Sequence, residues 1–587
     1  MNALSTRPVT EHTFTTHDGV DVFYRHWPAT GTRRGAIVMF HRGHEHSGRM
    51  AHLVDELKVP DLDVFAWDAR GHGRSPGERG FSPNVATSVR DIQTFIDHID
   101  NEHGVPAKDI AVVAQSVGAV LAATWVHDYA PPIRSLVLAS PAFKVKLYVP
   151  FAIPGLRLMQ RLRGNFFVNS YVKSKFLTHD IERQESYDND PLITRPISVN
   201  ILLGLFETAK RVVADAQAIT VPTQLLISGA DWVVHHKPQH QFFDNLGSPI
   251  KDKQVLDGFF HDTLGEDGRE RAIRSARDFI LRQFDDPAPA VEFTNAHQSG
   301  YTFDEAQKLA KPLPPKSLNG MGWNLYRKSL TWAGMLSQGV SLGQRTGFDS
   351  GSTLDYVYRN QANGATPLGR LIDRNYLDAI GWKGIRQRKD NIGETLREAM
   401  QRLRDEDRDV RVLDIAAGHG RYVLEALTAD SGRPESILLR DFSDMNVEAG
   451  QRMIEQKGLT EIARFEQGDA FDTDAVAGAQ SGTTIGIVSG LYELFPDNDL
   501  IRRSLAGMAE AIEPGGYLVY TGQPWHPQLE MIARALTSHR GGAAWVMRRR
   551  TTAEMDQLVR DAGFEKIEQR IDEWGIFTVS LARRISE

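Results

Sequence analysis

The chain has 587 residues, a formal net charge of -7 and 0 Cys, and no apolar run in it reaches the length of a membrane-spanning helix. At 65.6 kDa it is too long for a single hydrophobic core, so two large domains with smaller additions are expected. The lack of cysteine excludes disulfides, a cysteine nucleophile and thiolate metal sites, and the acidic balance supplies no general attraction to nucleic acid, so no nucleic-acid partner is expected.

The opening residues, MNALSTRPVTEHTF, hold no apolar core of a secretory signal, and the reading is a cytoplasmic protein. From Glu11 to about residue 283 short apolar runs alternate with amphipathic stretches, the pattern of a mostly parallel sheet covered by helices. THDGVDVFYRHW predicts a hairpin with Asp18 and Gly19 at its turn. Buried strands are predicted at AIVMF (36–40), DVFAW (63–67), IAVVA (110–114), SLVLA (135–139) and TQLLIS (223–228). The last two are separated by about 80 residues, far more than the roughly 2–6 of a plain connection, so residues 143–215 are read as a cap over a site.

AQSVG (114–118) follows one of these strands and precedes a helix-compatible run, the setting in which a sharp turn lifts a serine hydroxyl above a sheet. Ser116 needs a histidine to take its proton and a carboxylate to fix that histidine's tautomer. Asp231 and His261 each follow a strand pattern and supply them in the order Ser, Asp, His. After the strand AIVMF, the loop HRGHEHSGR brings a candidate oxyanion donor, the Gly43 amide, to pair with the amide of Val117. Its histidines lack the H-E-x-x-H spacing, and no metal is expected.

Those motifs, with DARGHGRS (68–75), the segment FLTHDIERQESYDNDPLITRPIS (176–198), SGADWVV and GFFHDTLGE, resemble the monoacylglycerol lipase and lysophospholipase branch of the α/β-hydrolases over nearly all of the first 283 residues. The resemblance implies a capped α/β-hydrolase fold and a serine esterase whose substrate is a carboxylic, lipid acyl ester. One departure is Arg42, where family members usually read His-Gly; a cation beside the oxyanion loop is expected to alter substrate choice. Within the cap, KVKLYVPFAIPGLRLMQRLRG (144–164) interleaves apolar residues with Lys144, Lys146, Arg157, Arg161 and Arg163. That mixture fits an acyl-chain entrance or peripheral docking at the inner membrane surface, and it fits an ordinary cap with solvated charges equally well. Pro150 and Pro154 interrupt any single long amphipathic helix there.

Proline density in DDPAPAVEF and AKPLPPKS marks residues 284–316 as a linker, and residues 317–400 read as a helical lid or connector with Tyr356, Tyr376, Trp382 and Arg386 as lid candidates. Residues 401–587 begin a second alternation: VRVLDIA, a helix over 422–429, SILLRDFS, a helix over 447–457, RFEQGDAF, TIGIVSG and YLVYTG, a second doubly wound sheet. DIAAGHG carries Asp414, Gly418 and Gly420 at a strand-to-helix turn, where glycine lets backbone approach a ligand. Asp441 ends the next strand, where a carboxylate can accept both ribose hydroxyls; Asp469 and Ala470 follow the third, in position for an adenine amino group. A dinucleotide fingerprint would need glycine where Val423 stands. With SGLYELF, IEPGGYLVYTG and a terminal helix and hairpin, the series resembles a class I S-adenosylmethionine-dependent methyltransferase, which implies a Rossmann-like fold and S-adenosyl-L-methionine as cofactor. Tyr492, Glu493 and His526 are acceptor-site candidates, with helix-start or packing roles as the alternative.

The sequence reading is therefore an α/β chain of two enzymes, a lipase-like ester hydrolase followed by a methyltransferase acting on a small or lipid-derived acceptor. The alternative is that one half alone is catalytic and the other serves binding or scaffolding.

Overall fold

The computed structural model describes residues 5–149, 151–427 and 432–585. They form two compact units, Met1–Val291 and Glu292–Glu587.

In the first unit, β1 (Thr10–Thr15) and β2 (Asp21–Trp27) pair as the expected hairpin, closed by the Thr16 amide donating to the Val20 carbonyl at 2.9 Å. Then follow β3 (Gly35–Phe40), β4 (Leu62–Trp67), β5 (Ile110–Gln115), β6 (Ser135–Ala139), the short cap strands β7 (Phe167–Asn169) and β8 (Pro196–Ser198), and β9 (Thr223–Ser228) and β10 (Lys251–Leu256). The main sheet runs β1-β2-β4-β3-β5-β6-β9-β10 and is parallel from β4 to β10. Every residue of β3, β4, β5, β6 and β9 is buried, as the unbroken apolar runs require of strands covered on both faces. The cap holds the helices Ala152–Arg163, Ile181–Asp188 and Val199–Ala214 and the β7–β8 pair; Pro150 lies outside the described residues.

In the second unit a helix Tyr301–Ala310 lies within the proline-bearing stretch, and four helices follow: Leu318–Leu336, Gln338–Thr346, Gly351–Arg359 and Pro367–Leu377. The next helix, Ile380–Asp405, runs unbroken through residue 400. Its Ile392, Leu396, Met400 and Leu403 are fully buried in the core beneath the sheet, so the helical segment and the sheet share one core. Each such side chain contributes about 1.5–3 kcal/mol by burial. The strands are β11 (Arg411–Asp414), β12 (Ser436–Asp441), β13 (Ala463–Gln467), β14 (Thr483–Val488), β15 (Ile512–Gly522), β16 (Phe564–Ile571) and β17 (Thr578–Arg584), ordered β13-β12-β11-β14-β15-β17-β16. Only β17 runs against its neighbours, forming the terminal hairpin with β16 after the helix Thr552–Asp561. The helix expected over 422–429 is seen as Arg421–Leu427; residues 428 and 429 lie outside the described residues.

Candidate active sites

At the end of β5 the chain turns through Ser116 with φ 56 and ψ -115, a left-handed conformation unusual for a side-chain-bearing residue, and enters the helix Val117–Tyr129. Gly118 permits this turn: a Cβ there would stand 2.4 Å from the His41 carbonyl oxygen. His261 bridges the other two residues, its Nε2 2.8 Å from Ser116 Oγ and its Nδ1 2.7 Å from Asp231 Oδ2. The other Asp231 oxygen accepts from the amides of Val233 and Val234 at 2.7 and 2.9 Å. Burial by itself raises the Asp231 carboxyl, but His261 and those amides hold it below the usual range, so it stays anionic where an imidazolium must be stabilised.

The loop after β3 brings Gly43 against Val117, where a Cβ on Gly43 would stand 3.1 Å from a Val117 methyl. Val117 is the first residue of its helix, so its amide has no intrahelical acceptor. A cavity of about 60 Å³ opens beside both, walled by Phe81, Leu121, Ile201 and Leu205. His41 fixes the loop: its Nε2 accepts from the Ala69 amide at 2.9 Å and its Nδ1 lies 2.6 Å from the Arg42 carbonyl, an arrangement met by the neutral ring that burial favours.

Arg42 turns away from solvent into a buried charge network. It bonds Glu45 through Nε at 3.0 Å and stands 3.3 Å from Asp262, while Glu45 also receives Arg49 at 3.1 Å and Asp262 receives Arg183 at 2.5 Å. Burial raises both carboxyls, yet Arg42 and Arg49 hold Glu45 at about 2, and Arg183 and Arg42 keep Asp262 far below its usual range. Gln115 donates to the other Asp262 oxygen at 3.2 Å, so the network buttresses the residues on either side of the serine turn and the histidine. The arginine was expected to alter substrate choice; it lines the cavity beside Gly43 while Glu45 and Asp262 hold its charge. Asp262→Ala would take a carboxylate from the buried Arg42 and the partly buried Arg183, and a loss of about 3–5 kcal/mol is expected in the urea unfolding of this unit.

In the second unit, β11 leads into the loop of Asp414 to Gly420. Gly418 has φ 58 and Gly420 φ 73, and a Cβ on Gly420 would strike Leu439 at 2.5 Å. Asp441, at the end of β12, accepts the Gly418 amide at 2.9 Å, the Ser443 amide at 2.9 Å and Asn446 Nδ2 at 3.0 Å. Beside it, Phe442 is 73% and Met445 67% exposed, so apolar faces adjoin a carboxylate, which suits a nucleoside with a flat base and a diol. Asp469 is exposed beyond β13 with its Oδ1 accepting the Phe471 amide at 2.9 Å, and Ala470 is buried next to it. The start of the helix Gly351–Arg359 covers the loop: Gly351 Cα is 3.6 Å from a Cβ built on Gly418, and Ser352 Oγ lies 3.4 Å from His419 Nε2.

Beyond the ends of β14 and β15 lies a cavity of about 300 Å³, a size suited to small molecules. Apolar rings and chains line most of it, among them Phe348, Tyr376, Trp382, Trp545 and Phe577. Its polar groups include Arg388, Glu493, Gln523 and His526, with Asp349, Asn375 and Gln528 also in the wall. Arg388 is buried 3.8 Å from Glu493, whose Oε1 accepts from Thr521 Oγ1 at 2.8 Å. Glu493 Oε2, Arg388 Nε and Gln523 Nε2 are buried with no hydrogen-bond partner among the described residues. Burial lowers His526 to about 4, and its Nδ1 accepts the Gln528 amide at 3.0 Å, which leaves a proton on Nε2.

Glu493 and His526 thus line the cavity, as do Tyr376 and Trp382. Tyr492 instead turns into the core, with its hydroxyl 3.0 Å from Ser504. Tyr356 bonds Asp373 and Arg386 donates to the Leu377 carbonyl, so both serve the scaffold. Sequence reasoning passed over Arg388, Gln523 and Phe442. Only the position of Phe442, directly after the strand-ending carboxylate, offered a signal.

Comparison with known proteins finds relatives of two kinds along the chain. An Escherichia coli (strain K12) protein, the uncharacterized YnbC, is 55% identical over 98% of both chains. Human monoglyceride lipase is 28% identical over 42% of this chain and 80% of its own length, and a Mycolicibacterium smegmatis monoacylglycerol lipase 24% identical over 46% and 96%. A family model described as "Serine aminopeptidase, S33" matches residues 31–268, within the unit that has the α/β-hydrolase fold. A second, described as "Putative methyltransferase", matches residues 276–584, more than half of the chain, and the chain belongs to that family, with a hydrolase unit related to monoacylglycerol lipases preceding it.

Proposed function

We propose that the first unit hydrolyses lipid acyl esters through Ser116, His261 and Asp231, and that the second transfers a methyl group from S-adenosyl-L-methionine to a small or lipid-derived acceptor. The observation that carries the first half is the unbroken chain of hydrogen bonds from Asp231 through His261 to Ser116. In this reading Ser116 Oγ attacks the ester carbonyl as its proton passes to His261 Nε2, and the Gly43 and Val117 amides receive the oxyanion. Collapse expels the alcohol, which takes the proton from His261. Water, deprotonated by His261, then attacks the acyl-serine and releases the acid. The apolar cavity beside Gly43 and the exposed Phe151, Leu158 and Leu162 of the cap favour an acyl-chain substrate met at a peripheral membrane surface.

The second half rests on the union of Asp441, the Gly418–Gly420 backbone and the exposed Phe442 at the ends of adjacent parallel strands. Asp441 would hold the ribose, the glycine loop the amino-acid end, Asp469 and Ala470 the base, and Asp414 the loop itself. S-adenosyl-L-methionine, when bound, supplies a methyl group on a sulfonium. The neighbouring cavity would orient the acceptor, with Glu493 Oε2 free to accept a proton from it and Arg388, Gln523 and His526 free to donate to its oxygen. The test of both halves is mass spectrometry of a bacterial lipid extract incubated with the full chain, with and without S-adenosyl-L-methionine. Loss of acyl esters in both samples and cofactor-dependent gain of a methyl group are expected; an unchanged extract in both overturns the proposal.

Asp414 gives this unit a pH signature. Burial pushes its carboxyl up to about 7, against the hydrogen bonds from Tyr422 at 2.5 Å and the Ala416 amide at 3.2 Å. The folded chain therefore holds a proton that the unfolded chain releases near pH 4. Stability from this group is full below about pH 4 and is lost as pH rises to about 7. Thermal unfolding is expected to show wild type losing stability relative to Asp414→Asn across that interval and running parallel to it above.

A further inference from the structure

The helix Leu318–Leu336 is nineteen residues long and buries only Gly320. Its exposed residues are nevertheless large and apolar: Leu318 is 87%, Leu325 71%, Trp332 70% and Met335 68% exposed, with Met321 on the same face. The adjoining helix Pro367–Leu377 adds Leu368 and Leu371 to the patch. An exposed apolar face of this kind marks a surface that something covers. The charge along this stretch of chain is one-signed, although Glu530 lies on the neighbouring helix Leu529–Ala535. Between Glu305 and Asp349 the chain has Lys308, Lys311, Lys316, Arg327, Lys328 and Arg345 and no acidic residue, within a protein of net charge -7. Leucine and tryptophan on one side, with Lys328 among them and cations as the charged residues of this stretch, is the composition of an interfacial helix drawn to anionic headgroups. The inner edge of the same helix, through Tyr326, Leu330 and Ala333, walls the 300 Å³ cavity.

We propose that the helix Leu318–Leu336 lies on an anionic lipid surface, and that the cavity behind it draws its acceptor, an acyl-chain-bearing amphiphile, from that surface. The first statement stands on the helix alone; the second rests on the methyltransferase reading of the unit.

Because the chain has 0 Cys, Met335→Cys creates one attachment point for an environment-sensitive fluorophore. With the full chain and phosphatidylglycerol–phosphatidylethanolamine vesicles, a blue shift and a several-fold gain in emission are expected. Adding Leu325→Asp and Trp332→Asp should remove the response while leaving the unfolding midpoint unchanged. No response, an equal response to phosphatidylcholine vesicles, or a response that follows protein concentration without vesicles, as a second copy would give, overturns the docking. A photoreactive monoacylglycerol in the same vesicles should crosslink to peptides carrying Leu330 or Met531; crosslinks confined to residues 1–291 overturn the acceptor assignment. Calorimetry with S-adenosylhomocysteine separates the two readings. Docking without nucleoside binding sinks the methyltransferase reading, and binding without docking sinks the present one.

Discussion

Replacing Ser116 with alanine is expected to lower ester hydrolysis by the full chain on the order of 10⁵–10⁶-fold in kcat and to abolish labelling by a fluorophosphonate, while leaving S-adenosyl-L-methionine binding unchanged. The size of the loss follows from the role: the residues around His261 act as a unit, so removing the nucleophile forfeits covalent catalysis altogether and leaves only what the amides of Gly43 and Val117 and substrate binding provide. The variant should fold, since Ser116 Oγ has His261 as its recorded partner and alanine is smaller. Equal labelling of wild type and variant would show that another serine reacts, and the proposed hydrolase site would fall.

The second large effect belongs to Asp441. Asp441→Ala removes the acceptor of three hydrogen bonds, from Gly418, Ser443 and Asn446, as well as the acceptor proposed for the ribose. Charge-assisted bonds of this kind are worth about 1.5–3 kcal/mol each, and two to the ribose predict nucleoside binding weaker by about 10²–10⁴-fold. Calorimetry with S-adenosylhomocysteine checks it. Hydrolysis should be untouched, because Asp441 belongs to the second unit and Ser116 to the first. Affinity within threefold of wild type would rule out this carboxylate as the ribose ligand.

The parts of the molecule that could be read from the sequence are those governed by local rules. The fully buried strands announced themselves as unbroken apolar runs, and Ser116 could be placed because it directly follows one; Asp231 lies three residues past another, and His261 five residues past the half-exposed β10. Residues 317–400 resisted for a physical reason. In an ordinary amphipathic helix one apolar stripe faces one core, but the helix Leu318–Leu336 spends apolar residues on a cavity wall and on an exposed face, so its periodicity matches neither pattern. For Arg42 the partners were hidden: Glu45 is near and Asp262 remote in sequence, and only the fold reveals that both neutralise it. The cavity's buried Arg388 and Gln523 carry no motif at all; they are found by what they fail to bond.

The continuity of the helix Ile380–Asp405 limits how the chamber beside β14 and β15 can admit a molecule. Its first turns supply Trp382, Ile385 and Arg388 to the chamber wall, and its later turns are locked in the core under the sheet. A door hinged near residue 400 would have to snap a hydrogen-bonded rod and drag Leu396 and Met400 into water. A wall movement that admits a molecule is therefore expected of the shorter helices ahead of residue 380, with this helix as the fixed jamb.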